Sequence, residues 1–219
     1  MRTILHLAVS PRGEASISRR IAALAVELLR RRAPGCRVIA RDLALDPVPH
    51  VDAGFAAAIA APGQEALPPH AAALAWSERL IGELEAADAV VIGTSVHNYG
   101  IPSVLKAWFD HVVRIHRGFR STPAGKVGLL ADRPVLVVAG SGGYFTREPA
   151  RQPDFFAPHV AFLFATIGIS DVTFLRLEGL GRGEDAVAAA LAHGEAAAEA
   201  WVRARFEAMA ARESGTARP

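Results

Sequence analysis

Three short stretches carry residue types suited to holding a ligand. Ser10-Pro11-Arg12-Gly13-Glu14-Ala15-Ser16-Ile17-Ser18 places hydroxyls immediately ahead of a segment with helical spacing. Hydroxyls and free amides at a helix amino terminus make a neutral cradle for a phosphate, and the helix dipole adds to the attraction. Without a Gly-x-Gly-x-x-Gly turn or a phosphate-loop lysine, a single phosphate suits this stretch better than a pyrophosphate or triphosphate. Taken alone, Ser16 and Ser18 also read as ordinary helix caps.

The second stretch, Val96-His97-Asn98-Tyr99-Gly100-Ile101-Pro102, is a polar and aromatic turn between the apolar run 89–94 and the helix-like run 104–113. In the third, Gly140-Ser141-Gly142-Gly143-Tyr144-Phe145, glycines without a Cβ let backbone lie close against a planar ligand, although they would serve a plain turn as well. His97 offers an imidazole that could hydrogen-bond such a ligand or pass a proton; its alternative is to fill space on the loop. Gly179-Leu180-Gly181-Arg182-Gly183 imitates a dinucleotide fingerprint only weakly and reads as a simple connection. His111, His116 and His159 have no metal-ligand spacing, so no metal is predicted.

These turns need a scaffold that brings them together. Strand-like runs recur at 3–9, 37–41, 89–94, 134–139 and 171–177, alternating with helical periodicity at 18–32, 70–86, 103–113, 155–167 and 184–209. Near-continuous apolar strands separated by helices predict an α/β fold with a parallel sheet and right-handed crossovers. Five such strands fit a flavodoxin-like doubly wound five-stranded parallel sheet of order 2-1-3-4-5, whose ligands bind beyond the carboxyl ends of the strands. That order would bring the Ser10, Asn98 and Gly142 turns to one rim. Two long insertions, 42–69 with a short helix at 52–61, and 115–133, are expected to cover a site or an interface. Residues 1–211 read as one domain and 212–219 as a frayed tail.

Composition narrows the function classes. Among 219 residues, 24 basic against 22 acidic leave a formal charge of only +2, so no polyanion partner is implied; Arg19-Arg20 and Arg30-Arg31-Arg32 read as a solvated helix face, not a nucleic-acid surface. A lone cysteine, Cys36, cannot form an internal disulfide, and the amino-terminal apolar run ends at Ser10-Pro11 before a signal-peptide core could form. The longest apolar segment, 155–169, is interrupted by Pro158 and His159, so no membrane span is expected. A soluble, cytoplasmic protein is the expectation.

Ser10 with Ser16-Ile17-Ser18, Arg41-Asp42-Leu43 through Pro47-Val48-Pro49, and above all Asn98-Tyr99-Gly100-Ile101-Pro102 running into Leu105-Lys106-Ala107-Trp108-Phe109-Asp110 resemble the FMN-dependent NADH-azoreductases. These belong to the flavodoxin-like quinone reductases. The likeness continues through Gly118-Phe119-Arg120, Gly142-Gly143 and Ile167-Gly168-Ile169-Ser170-Asp171-Val172, nearly the whole chain.

The resemblance implies that Ser10, Ser16, Ile17 and Ser18 hold the FMN phosphate. Val96, His97, Asn98, Tyr99, Gly140, Ser141, Gly142 and Gly143 would contact the isoalloxazine ring. Val96-His97 stands where the family often has methionine-tyrosine, Tyr99 where it has phenylalanine, and Gly140-Ser141 where it has serine-arginine, which alters polarity around the ring. Tyr99, Phe119 and Tyr144 are expected to wall the pocket for a stacked acceptor. The implied reaction is ping-pong: NADH or NADPH reduces FMN, which passes two electrons to a quinone or azo compound. The cofactor carries the redox chemistry, so no catalytic triad is needed. The family also implies a homodimer using the helix of Trp108 and Phe109, rings whose own pattern reads as core. Two other readings are an NAD(P)H-dependent flavin reductase and a flavodoxin-like electron carrier. The carrier is disfavoured because such proteins are typically acidic, shorter and without the long insertions.

Overall fold

Runs rich in Val, Ile, Leu and Ala alternate with amphipathic stretches, and the computed structural model, which describes residues 1–61, 71–146 and 152–213, shows them as strands and helices in turn. The chain runs β1 (Thr3–Ala8), α1 (Ile17–Arg32), β2 (Arg37–Asp42), α2 (Ala53–Ala60), α3 (Ala71–Ala86), β3 (Ala89–Ser95), α4 (Ser103–Val112), β4 (Phe119–Thr122), β5 (Gly125–Gly128), β6 (Val135–Gly140), α5 (Phe156–Thr166), β7 (Val172–Leu177) and α6 (Glu184–Glu213). The main sheet is parallel with order β2-β1-β3-β6-β7. With β4 and β5 set aside, this is the predicted 2-1-3-4-5.

Burial explains the order. Every residue of β6, and all of β3 except Ser95, is buried, as central strands covered on both faces must be. Along β1 the pleat alternates: Leu5 and Leu7 join Val90, Ile92, Val135 and Val137 beneath α3, α4 and α5, while Ile4 joins Val91, Leu136 and Val138 beneath α1 and α6. Trp108, Phe109 and Phe164 meet edge-on or tilted in the first of these cores, all fully buried, as their apolar pattern predicts. On the side of the second core β3 carries Gly93. A Cβ there would stand 2.9 Å from Ala22 Cβ and 3.0 Å from the Ser18 carbonyl oxygen, so its absence lets α1 press onto the sheet next to its own amino terminus.

The insertions differ from expectation. Residues 115–133 do not form one loop: Phe119–Thr122 and Gly125–Gly128 pair as an antiparallel hairpin that packs near the end of α5, with Leu130 N donating to Ile167 O at 3.0 Å. The expected short helix at 52–61 is present as α2, capped by the Asp52 carboxylate, which accepts from Phe55 N at 2.8 Å. It lies against α3, and His111 of α4 reaches the Pro49 carbonyl oxygen at 3.0 Å. Residues 62–70 of that insertion, including His70 at the expected start of α3, lie outside the described residues. So do 214–219 of the expected tail, while α6 continues through Glu213, past the expected 209.

Candidate functional site

The carboxyl ends of β1, β3 and β6 open into a cleft of about 300 Å³. Its lining comes from four turns: Ser10, Pro11, Arg12, Ser16, Ile17 and Ser18 after β1; Ser95, Val96 and His97 after β3; Gly140, Ser141 and Gly142 after β6; Leu180 and Gly181 after β7. The parallel register brings them together, since Val96 N donates to Gly140 O at 2.9 Å and Val9 N to Gly93 O at 2.9 Å.

Its first wall is built of hydroxyls. Ser16 is the N-cap of α1, its Oγ accepting from Arg19 N at 3.4 Å and lying 3.1 Å from Ser18 Oγ. Ser10 Oγ accepts from Arg12 N at 3.4 Å. Ser10, Ser16 and Ser18 are each no more than 5% exposed. Ser16 and Ser18 pair with each other and Ser10 with a backbone amide, so these buried hydroxyls, next to the free amides of a helix start, retain capacity for a further acceptor or donor. Arg12 and His97 supply the ionisable side chains of the described lining, and no carboxylate is among the described lining residues. Such a wall favours an anion.

Next to the hydroxyls the lining is glycine backbone and the His97 turn. Gly140 has no Cβ; one would stand 3.1 Å from Leu180 Cδ1 and 3.6 Å from Ser18 Oγ. Ser141 Oγ donates to Gly143 O at 2.9 Å and holds the turn. Asn98 and Tyr99 take positive φ, 47° and 70°, inside a tight turn closed by His97 N to Gly100 O (3.1 Å) and Gly100 N to His97 O (2.9 Å). Left-handed backbone at a tyrosine is strained and survives only where the surrounding structure enforces it. His97 Nε2 lies 2.9 Å from Ser95 Oγ.

Beneath α1 sits a charged pair. Arg19 bonds Asp42 at the end of β2 and reaches Glu14 at 3.6 Å. Burial pushes the Asp42 carboxyl up, but the hydrogen bond from Arg19 and the amides of Leu45 and Ala44 outweigh it and hold it below the usual carboxylate range. The His6 imidazole on β1 titrates below its ordinary value, chiefly through burial and then through Arg19, with Asp42 opposing. Its Nε2 is buried with no hydrogen-bond partner.

Of the sequence-predicted residues, Ser10, Ser16, Ile17, Ser18, Val96, His97, Gly140, Ser141 and Gly142 share the cleft. Asn98, Tyr99 and Gly143 belong to the adjoining turns without lining it. The Tyr144 ring covers Gly179, where a Cβ would lie 2.6 Å from its hydroxyl. Phe119 is elsewhere: it opens β4, buried, with Lys126 Nζ 4.7 Å from its ring centre. One reading needs correction: Gly179-Leu180-Gly181 is no plain connection, because Leu180 and Gly181 complete the cleft. Among the described residues neither long insertion lines the cleft; the first packs on α3 and α4 and the second beside α5. Arg12 and Ser95 are further lining residues; their only sequence signal is position at the end of a strand.

Residues 2–202 match the family described as the flavodoxin-like fold. An FMN-dependent NADH:quinone oxidoreductase of Cupriavidus pinatubonensis is 54% identical over 188 residues, 86% of this chain and 91% of that protein. The chain belongs to the flavodoxin-like family of FMN-dependent NADH:quinone oxidoreductases. A second member, from Pseudomonas fluorescens, is 44% identical over 191 residues, 87% of this chain and 91% of that one. Among solved structures, an azoreductase from Bacillus anthracis superposes with a TM-score of 0.81 at 23% identity, covering 92% of this chain and 99% of the other. An FMN-dependent NADH-azoreductase of the same species, solved in complex with FMN, gives 0.79 at 24% identity over 92% of this chain and all of the other. At that identity the structural likeness speaks for the fold, and the family assignment rests on the sequence relatives.

Proposed function

We propose that this chain is an FMN-dependent oxidoreductase that draws on NADH or NADPH and reduces quinones and azo compounds by two electrons, one substrate replacing the other in the same cleft. The observation that carries this reading is the cleft at the carboxyl ends of the strands, lined by buried hydroxyls and bare glycine backbone with no carboxylate among the described lining residues, in a chain whose relatives are named for FMN and quinone.

The lining fits the cofactor. Ser10, Ser16 and Ser18, with the first amides of α1, would take the phosphate, because a monoester dianion is matched by neutral donors and a helix dipole with no phosphate-loop lysine. Val96 to Tyr99 and Gly140 to Gly143 would border the ring; the glycines let a flat face approach the backbone. FMN, when bound, supplies the redox chemistry. The turns after β3 and β6 would orient the ring, and His97, held by Ser95, would stand at the rim as a proton-carrying group. Tyr99, 47% exposed on its strained turn, would offer a planar acceptor a ring to stack on. Phe119 and Tyr144 were expected to join that wall; Phe119 lies buried in the hairpin, and Tyr144 would act from above Gly179.

We also read the protein as cytoplasmic and homodimeric. Among the described residues no helix is long and apolar enough to cross a membrane. In support of a dimer, Phe155 and Phe162 next to and on α5 are 63% and 69% exposed, whereas Trp108 and Phe109 of α4 are buried in the core and have no ring surface to offer. Sedimentation of Phe162→Glu against the unaltered protein tests this, with a monomer expected from the variant.

The central test is preparative. The purified protein is expected to be yellow, to keep FMN through gel filtration, to release it on denaturation and to oxidise NADH when given a benzoquinone. A colourless protein that cannot be reconstituted with FMN overturns the reading. Flavin that turns over but elutes apart from the protein converts it to a flavin reductase.

A further inference from the structure

The turns after β6 and β7 are fastened together along their length. Ser141 N donates to Leu177 O (2.9 Å), Leu180 N to Ser141 O (2.9 Å), Gly181 N to Gly142 O (3.3 Å) and Gly179 N to Gly143 O (3.1 Å). Gly179 holds φ at 79°, and the Tyr144 ring fills the space a side chain there would need. Beyond Tyr144 a carboxylate takes over. Glu178 accepts from Phe145 N at 3.2 Å, from Thr146 N at 3.1 Å and from the Thr146 hydroxyl at 3.1 Å.

Glu178 does not line the cleft. No ion pair joins it to a cation among the described residues, and the nearby Arg176 is bonded to Asp154. Its half-buried carboxylate is thus given over to two amides and one hydroxyl of the neighbouring turn, bonds stronger than their neutral counterparts. That turn carries Gly142, Gly143 and Tyr144.

We propose that Glu178 is a positioning residue: by holding the backbone at Phe145 and Thr146 it fixes residues 141–146 against the turn after β7, and thereby sets how tightly the cleft retains FMN. The inference rests on the FMN reading above. A turn that must be ordered at the moment of binding charges its lost conformational freedom against affinity, whereas one already pinned does not. Loosening the pin acts mainly on release.

The test compares the intact protein with Glu178→Ala, Glu178→Gln and Thr146→Val. Each is stripped of flavin and titrated with FMN, with release followed by the recovery of flavin fluorescence. Glu178→Ala is expected to weaken FMN binding roughly tenfold, mostly through faster release, because charge-assisted bonds to the turn are lost. Glu178→Gln, which keeps an acceptor oxygen, is expected to fall between that variant and the intact protein, and Thr146→Val to show the smallest effect. Amide exchange at Phe145 and Thr146 should quicken in Glu178→Ala, and the resolved visible band of bound flavin should blur toward that of free FMN.

Glu178→Ala with unchanged FMN affinity, release rate and spectrum overturns the proposal, even if its melting temperature falls or exchange at 145–146 quickens. If that variant does not fold, Glu178→Gln decides alone by the same measures. An unaltered protein that takes up no FMN overturns the cofactor reading and this inference together, whereas an unaltered protein that binds FMN no better than the variants overturns this inference only.

Discussion

The two ends of the parallel sheet both carry cavities, and the larger is not the candidate site. At the amino ends of β1, β3, β6 and β7, a hollow of about 420 Å³ is lined by Met1, Asp88, Asp132, Arg133, Asp171 and Arg205, among others. There most of the polar side chains are engaged with the protein itself, although Arg205 Nε is buried without a hydrogen-bond partner. Asp88 accepts from the amides of Arg2 and Thr3, Asp132 from those of Arg133, Ser170 and Asp171, and Arg205 bonds Asp171. Arg133, buried, donates to the carbonyl oxygens of Leu84, Ala87 and Ala131. At the carboxyl end the cleft is smaller, and its hydroxyls and glycine backbone face an opening. Volume alone does not mark the candidate site; buried hydroxyls and the free amides of a helix start, which suit an anion, are what set the carboxyl end apart.

The largest effect is expected at the amino end. Arg133→Ala removes the guanidinium donor from the carbonyl oxygens of Leu84, Ala87 and Ala131, of which Leu84 O keeps the Ala87 amide, and should cost about 3 kcal/mol of stability, read by urea denaturation. FMN affinity of the folded fraction should be unchanged. A loss of cofactor affinity matching the loss of stability would erase the distinction between the two ends.

Next comes Gly93→Ala, where a methyl group would crowd Ala22 and the Ser18 carbonyl. It should cost about 1–3 kcal/mol as α1 is pushed off the sheet, and because Ser18 moves with α1, FMN binding should weaken as well. Normal cofactor affinity in a destabilised variant would separate the helix seat from the cleft. Ser18→Ala acts at the carboxyl end alone. Removing one buried hydroxyl of the cradle should weaken FMN binding about tenfold with little change in urea midpoint, and riboflavin, which lacks the phosphate, should bind both proteins alike. A uniform loss for both flavins would place Ser18 away from the phosphate.

The smallest effect is a difference in pH response. Burial raises the Asp88 and Asp132 carboxyls, but hydrogen bonds (to the Arg2 and Thr3 amides for Asp88, to the Ser170 hydroxyl and neighbouring amides for Asp132) outweigh it and hold both below the usual range. Their contribution is therefore present above the ordinary carboxylate value of about 3.9 and is lost as pH falls through the folded values. For His6 the unfolded chain takes up a proton near the ordinary value of about 6.5 while the folded chain resists it, so stability declines as pH drops below that point. Melting curves across pH should show His6→Gln flattening the decline on the mildly acidic side and Asp132→Asn flattening only the strongly acidic limb. The same limb responding to both variants would contradict this assignment.

The sheet was legible in the sequence because runs such as Ala89-Val90-Val91-Ile92 and Val135-Leu136-Val137-Val138 are apolar without interruption, and only a central parallel strand between helical layers has use for that. Ser16 was legible as a cap because hydroxyl side chains suit a helix start. The hairpin was not. Phe119–Thr122 and Gly125–Gly128 are short, glycine-flanked and largely exposed, so neither shows the alternation that marks a half-buried strand. Leu180 and Gly181 were missed for another reason: their place in the cleft depends on β7 lying beside β6, a long-range pairing that leaves no local trace. Phe119 shows the converse, an aromatic residue whose type suited a pocket wall and whose register put it in the hairpin.

The turn at Asn98 and Tyr99 has a consequence for how the cleft is filled. Its two backbone bonds run between His97 and Gly100, so the strained conformation is held by the polypeptide alone. That part of the rim is shaped by the chain's own bonds, and an incoming ring system would find its backbone already fixed there. Little rearrangement is then required at this lip, and the arriving molecule's own loss of tumbling becomes the main entropic toll on that side.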